Sequence, residues 1–251
     1  MTPGRLLLVP NTLDLGTDTE VALSDVLPQG IIDQAAALGH WVAENAKTTR
    51  AFLKRIDRLV PLAKPMQAID IQELPRPRKG QADASPQDLS PLLAPALAGA
   101  DIGLLSEAGL PAIADPGAAL VAAAHVLGVV VLPLSGPSSL LLALAASGLN
   151  GQSFAFVGYL PVDSAQRTAR IKELDALSRR LGQTQIAIET PYRNAALLSA
   201  LVQQLQPQTR LAIACGVTLP GGWCRTQTVR AWRDALPTLP ERVPAVFSWL
   251  A

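Results

Sequence analysis

The chain is poor in charge, in aromatic residues, in cysteine and in histidine, and each shortage removes a class of function. Asp, Glu, Lys and Arg make up 16% of the 251 residues and aromatics 4%, against 49% hydrophobic residues. Disordered chains stay unfolded because charge outweighs apolar surface, so this balance predicts a folded globular protein. Lys and Arg number 21 and Asp and Glu 20, a formal net charge of +1. A dedicated nucleic-acid-binding domain would carry a clear basic excess, so any RNA contact has to come from a local patch. Cys215 and Cys224 do not have CxxC spacing, and His40 and His125 stand far apart. No metal site is expected from them. Scarce cysteine, and a start of Met-Thr-Pro-Gly that runs straight into an apolar segment, predict a cytoplasmic protein without a leader.

An uninterrupted membrane span is also lacking. From Gly117 to Ser164 the only Asp, Glu, Lys or Arg is Asp163. Gly128, Pro133, Gly136, Pro137, Gly148 and Gly151 cut that run before it reaches the roughly 20 apolar residues a spanning helix needs. Buried strands and helices account for it, and no membrane partner is expected.

What is present alternates. Arg5–Val9 reads as a buried strand, followed by a polar loop over Asn11–Thr19. Gly39–Ala43 reads as a strand and Lys47–Leu59 as a helix, with Phe52, Leu53, Ile56 and Leu59 on one face. Opposite them stand Lys47, Arg50, Lys54, Arg55 and Arg58. With Arg76, Arg78 and Lys79 in a Pro-rich stretch, they are the two places where RNA could be held; otherwise they are solvated surface. A short strand is expected around Ala68–Ile71 and a helix start at Ser85–Pro86. Then strand, loop, helix repeats: Asp101–Leu105, Ser106–Gly117, Ala118–Leu127, then Val129–Leu132, Ser135–Ser139, Leu140–Ala146. That order predicts a parallel α/β sheet. From about residue 151 the strands come closer together, over 153–157, 186–189, 211–217, 226–229 and 243–249, with helices over 164–181 and 194–205. The expected organisation is two α/β domains, 1–150 with a mostly parallel sheet and 151–251 with a mixed one.

Ligands of open parallel sheets sit at the carboxyl ends of strands, so the loops after the strands carry the chemistry. Ser106–Gly117 and Leu134–Ser139 are built from Gly, Ala, Ser and Pro, which let the backbone approach a ligand closely. Ser138 and Ser139 fall at a helix start, where free N–H groups suit an anion. Tight turns want the same residues for their own sake. Neither GxGxxG nor a P-loop occurs, so ordinary dinucleotide or NTP binding has no support.

Taken together the loops carry a resemblance. LLSEAGLPAIADPG at 104–117, VVVLPLSGPSSLLLALAASGL at 129–149 and FVGYLP at 156–161 resemble the ribosomal RNA ribose methyltransferase branch of the tetrapyrrole methylase family. Glu189-Thr-Pro-Tyr-Arg193 and Leu211–Leu219 are similar to later family segments. The resemblance implies two α/β domains, S-adenosylmethionine held folded in the cleft between them, and a homodimer. Carried over by position, it implies cofactor contacts at Leu13, Glu107, Ala108, Gly109, Ala112, Ser138 and Ser139, then Thr190 and Cys215. By their charge, Lys47 and Arg193 are candidates to pair with a phosphate or with substrate carboxylates, and a structural salt bridge is the equal alternative for Arg193. The chain departs from the pattern chiefly on the acceptor side. Glu44-Asn-Ala-Lys47 stands where the family has Glu-Asp-Thr-Arg, and Cys215-Gly-Val-Thr218 lacks an Arg-Glu pair. It reads as a divergent sister group.

Methyl transfer from a sulfonium is an in-line displacement, and a base is needed when the acceptor is an unactivated hydroxyl. Glu44, at a strand end, is the first candidate, ahead of Asp14 and Glu107. Its alternative role is to cap the following helix. The resemblance supports an RNA methyltransferase acting on a ribose hydroxyl. Methylation of a small tetrapyrrole-like acceptor, or a regulatory protein that keeps the cofactor and has lost catalysis, are the rival readings.

Overall fold

A computed structural model describes residues 2–14, 16–75 and 88–251. The Arg76–Lys79 patch and the helix start at Ser85–Pro86 lie outside the described residues. The chain forms two compact units, one of residues 1–15 and 21–137, the other of 16–20 and 138–251. The division falls at Pro137–Ser138, compared with about residue 150 in the sequence reading. The helix over Ser139–Ser147 accounts for the difference, because its Leu140, Ala143 and Leu144 pack on the second sheet.

The first unit is built on strands β1 (Arg5–Leu8), β2 (His40–Ala43), β3 (Asp70–Glu73), β4 (Ile102–Leu105) and β5 (Val130–Pro133). They form one all-parallel sheet in the order β3-β2-β4-β1-β5. Both faces of such a sheet are covered, which is why its strands read as continuous apolar runs. Successive side chains go to opposite layers. Leu7, Trp41 and Leu105 join one cluster, while Leu6, Val42 and Leu104 join the other. The first layer is closed by α1 (Leu23–Val26), α2 (Gln29–Ala37) and α3 (Ala46–Asp57), the second by α4 (Ala94–Leu97) and α5 (Ala118–Val126).

The sequence pattern assigns nothing to 20–38, where α1 and α2 lie. Pro28 and Gly30 break the local signal, yet Ile31, Ile32, Ala35 and Ala36 are buried along α2. The expected polar loop after β1 is likewise an interior segment at its start, since Asn11, Thr12 and Asp14 are all buried.

In the second unit α6 (Ser139–Ser147) leads to β6 (Phe154–Tyr159), α7 (Ser164–Leu181), β7 (Thr184–Ile188), α8 (Asn194–Gln204), β8 (Arg210–Cys215), β9 (Trp223–Thr228), α9 (Val229–Asp234) and β10 (Ala245–Leu250). The sheet order is β6-β7-β10-β8-β9, with β6–β7 parallel and the other pairs antiparallel. Leu211, Ile213, Phe247 and Trp249 pack with α7, α8 and α9, while Ala214 and Val246 pack with α6. The fold is thus one parallel and one mixed α/β unit, as the sequence pattern predicts. No helix among the described residues is long and apolar enough to cross a membrane.

Candidate functional site

The first sheet changes direction beside β1. The chain passes from β1 to β2 and β3 on one side, returns to β4, then crosses to β5 on the other side. Such a switch point opens a crevice at the carboxyl ends of the strands. Here those ends carry Pro10–Asp14 after β1 and Ser106–Gly117 after β4.

Asn11 joins the two loops. Its N–H donates to the Gly109 carbonyl (2.9 Å) and the Gly109 N–H donates to Thr12 (3.3 Å). The Asn11 side-chain amide donates to the carbonyls of Ser106 (3.3 Å) and Glu107 (3.0 Å). Gly109 is left-handed at φ +65°, and a Cβ built there would lie 3.2 Å from Leu13 Cδ2 and 3.4 Å from the Pro137 carbonyl. A side chain would therefore fill the cradle between these loops. Ala112 and Ala114 are also left-handed at φ 65°, where only Gly is at ease. Non-glycine residues held there mark a loop whose backbone path is set by more than local preference. At its start, Ser106 Oγ is buried without a protein hydrogen-bond partner, a position suited to a polar ligand group.

Asp14 lies at the far side of the β1 loop, paired with Arg55 at 3.1 Å. Arg55 also donates to the Val21 carbonyl and to Thr12. Burial pushes the Asp14 carboxyl up, but the Thr12 hydroxyl, the Val21 N–H and the Arg55 guanidinium together hold it below its ordinary value. This corrects the reading of Arg55 as part of an outward basic face. It is a clamp on the β1 loop.

Glu44 follows β2, where its N–H donates to Leu105 (3.1 Å). Its Oε2 accepts the Glu107 N–H at 3.1 Å. Glu44 is not the cap of α3; Asn45 is, its side-chain oxygen accepting the Lys47 N–H at 3.0 Å. The Asn45 amide donates to Glu107 Oε1 at 3.0 Å. Glu44, Asn45 and Glu107 thus form one connected group at the ends of β2 and β4.

Asp115 completes it and is missing from the sequence reading, where Asp-Pro-Gly passes for a turn. Burial first, then the charges of Glu44 and Glu107, raise its carboxyl from 3.8 to about 7. Like charges cannot all ionise cheaply in one place, so Asp115 keeps a proton near neutral pH. Among the described residues no cluster of His, Cys, Asp or Glu has the makings of a metal site.

In the second unit, Ser138 is the N-cap of α6 and makes no side-chain capping bond. Ser139 is the first residue of that nine-residue helix. Glu189, buried beyond β7, accepts the Thr190 N–H (2.8 Å) and pairs with Arg193 (2.9 Å). Cys215 ends β8, and burial pushes its thiol up, away from thiolate chemistry. It borders a cavity of about 250 Å³ lined also by Leu219, Trp223, Arg242 and Val243. Beyond it the chain turns tightly: Gly216 is left-handed at φ +62°, and a Cβ on Gly222 would lie 2.0 Å from the Gly216 carbonyl. That turn occupies the place of the missing Arg-Glu pair.

No protein-family model matches the chain. Among curated proteins, the ribosomal RNA small subunit methyltransferase I of Mesorhizobium japonicum is 40% identical over 143 residues, 57% of this chain and 47% of that protein. Its Mycobacterium bovis namesake is 34% identical over 210 residues, 82% of this chain and 63% of that protein. The chain therefore spans between about half and two thirds of the length of these relatives. Among solved structures, cobalt precorrin-4 methyltransferase CbiF superposes with a TM-score of 0.57 over 98% of this chain and 94% of its own, at 12% identity. The methyltransferase CobJ superposes at 0.55 over 98% and 93%, at 15% identity. By sequence the chain resembles the proteins named ribosomal RNA small subunit methyltransferase I, and by fold the methyltransferases CbiF and CobJ.

Proposed function

We propose that this chain is a member of the tetrapyrrole methylase family and an S-adenosylmethionine-dependent methyltransferase whose acceptor is a ribose hydroxyl of ribosomal RNA. The observation that carries the cofactor is the cradle at the switch point, where Gly109 leaves open the space a side chain would fill. The buried, unpartnered Ser106 Oγ beside it fits a polar group of the same ligand. Leu13, Glu107, Ala108, Gly109 and Ala112 would line the cofactor in the first unit. In the second unit Ser138, Ser139, Thr190 and Cys215 are candidates that the family resemblance alone supplies. The RNA acceptor is supported by relatives named as ribosomal RNA methyltransferases, and work on that RNA would place the protein in the cytoplasm.

When bound, the cofactor supplies the electrophilic methyl group. The chain's own task is to orient the hydroxyl, exclude water and take up a proton. Glu44 is the proposed proton acceptor, with Asp115 beside it. A base whose pKa lies near the working pH is the effective one, and Asp115 is poised there. Lys47 is a candidate phosphate contact, whereas Arg193 meets substrate only by sharing its guanidinium with Glu189.

The family's homodimer is proposed here as well. Helices α5 and α6 carry few polar residues, and Val126 of α5, Val130 of β5 and Leu141 of α6 are each exposed. Apolar surface of that kind marks an interface.

The test is transfer of label from methyl-tritiated cofactor to unmethylated small-subunit ribosomal RNA. The proposal predicts label at a 2′-oxygen. Cofactor binding without transfer to any RNA would contradict it.

A further inference from the structure

The outer face of α3 carries cations in one row. Lys47, Arg50 and Lys54 stand at i, i+3 and i+7, and all are exposed. At the helical rise per residue the row runs for about 10 Å. Thr49, Phe52, Leu53 and Ile56 are buried on the other side, so the row cannot turn inward. Asp57 follows at the far end of the row, at i+3 from Lys54, and Glu73 accepts the Ala46 N–H at its start, yet among the described residues none of the three cations is paired with either. The side chains of Lys47 and Lys54 make no ion pair, and Arg50 reaches only the Ala46 carbonyl of its own helix, at 3.5 Å. Helix α7 shows the ordinary alternative, with Arg170 on Glu173 at 2.7 Å and Arg179 on Asp175 at 3.4 Å. Like charges at helical neighbours repel, so a merely solvated face normally mixes signs. The start of the row is fixed, because Asn45 caps α3 and also holds Glu107. The cations therefore begin at the candidate carboxylates.

We infer that Lys47, Arg50 and Lys54 form a track for the phosphate backbone of single-stranded RNA, leading to the Glu44–Glu107 loop. The inference rests on the RNA acceptor proposed above. It explains how a chain of net charge +1 would hold a polyanion: the positive charge is gathered where the strand must lie. Phosphate contacts set position and carry no sequence information.

Fluorescence anisotropy of a short labelled single-stranded RNA, titrated with the full chain across a salt series, tests it. Three phosphate contacts contribute a slope of about −2 to log K against log salt. Replacing all three residues with Gln should flatten the slope by about that amount and weaken low-salt binding more than tenfold, equally for RNAs of different sequence. Lys172→Gln, exposed on α7, should change neither. Calorimetry with S-adenosylmethionine confirms that the triple variant is folded. A triple variant with the original slope and affinity overturns the track and leaves the RNA acceptor standing. A chain that binds the cofactor and no RNA overturns both.

Discussion

At the scale of single residues, Arg55 and Asp115 each do something their sequence position conceals. Arg55 falls among exposed cations in the pattern of α3, yet its guanidinium serves Asp14, Thr12 and Val21 inside the first unit. Arg55→Ala should remove the guanidinium from the buried Asp14 carboxylate and cost about 3 kcal/mol, read as a lower chemical-denaturation midpoint. The Asp14 carboxyl is held low in the folded state, so its contribution is present above the unfolded value and lost as pH falls through the folded one. Asp115 has the opposite sign. Its folded pKa of about 7 lies above the ordinary 3.8, so between these values the folded chain keeps a proton the unfolded chain has released. Stability should therefore decline as pH rises from about 4 to about 7. Asp115→Asn should remove that decline in thermal melts across pH. If Asp115 also takes part in proton uptake, the same variant should flatten the limb of the pH–rate profile near 7. Gly109 was legible in the sequence because its loop is a family signature. Asp115 was not, because its pKa near neutrality arises first from burial in the folded chain and then from Glu44, some 70 residues away, and Glu107, and no local pattern carries that.

At the scale of elements, the strands were legible and several connections were not. β4 and β8 announce themselves as apolar runs because both their faces are covered. α2 is hidden by Pro28 and Gly30 and by its short length, and becomes a helix through packing on Trp41 and Phe52 rather than through propensity. The segment after β8 is likewise a matter of turn geometry, since a Cβ on Gly222 would collide with the Gly216 carbonyl and Gly216 itself is left-handed. The central seam of the first sheet yields a direct test. A Cβ on Gly103 of β4 would lie 2.6 Å from the Trp41 ring on β2. Gly103→Ala should displace Trp41, destabilise the first unit by about 1–3 kcal/mol and change the tryptophan fluorescence. Unchanged stability would mean the seam is looser than its packing indicates.

For the whole molecule, the two α/β units give the chain the fold of the methyltransferases CbiF and CobJ, while the acceptor depends on features that vary within that fold. A shared fold does not by itself carry a shared substrate. The exposed apolar residues of α5 in the first unit, and separately of α6 in the second, predict self-association. Sedimentation should give twice the chain mass of 26.4 kDa, and Leu141→Glu, on an exposed apolar position of α6, should shift it toward the monomer. A wild-type chain that sediments as a monomer would leave that surface without its proposed partner.

The central claim is that the chain holds S-adenosylmethionine in the cradle of Gly109 and Leu13. Calorimetric titration of the intact protein with S-adenosylmethionine and with S-adenosylhomocysteine tests it most directly. The account predicts micromolar binding of both, at one site per chain, and loss of both in a folded Gly109→Arg variant. Folded wild-type protein that binds neither molecule would contradict it.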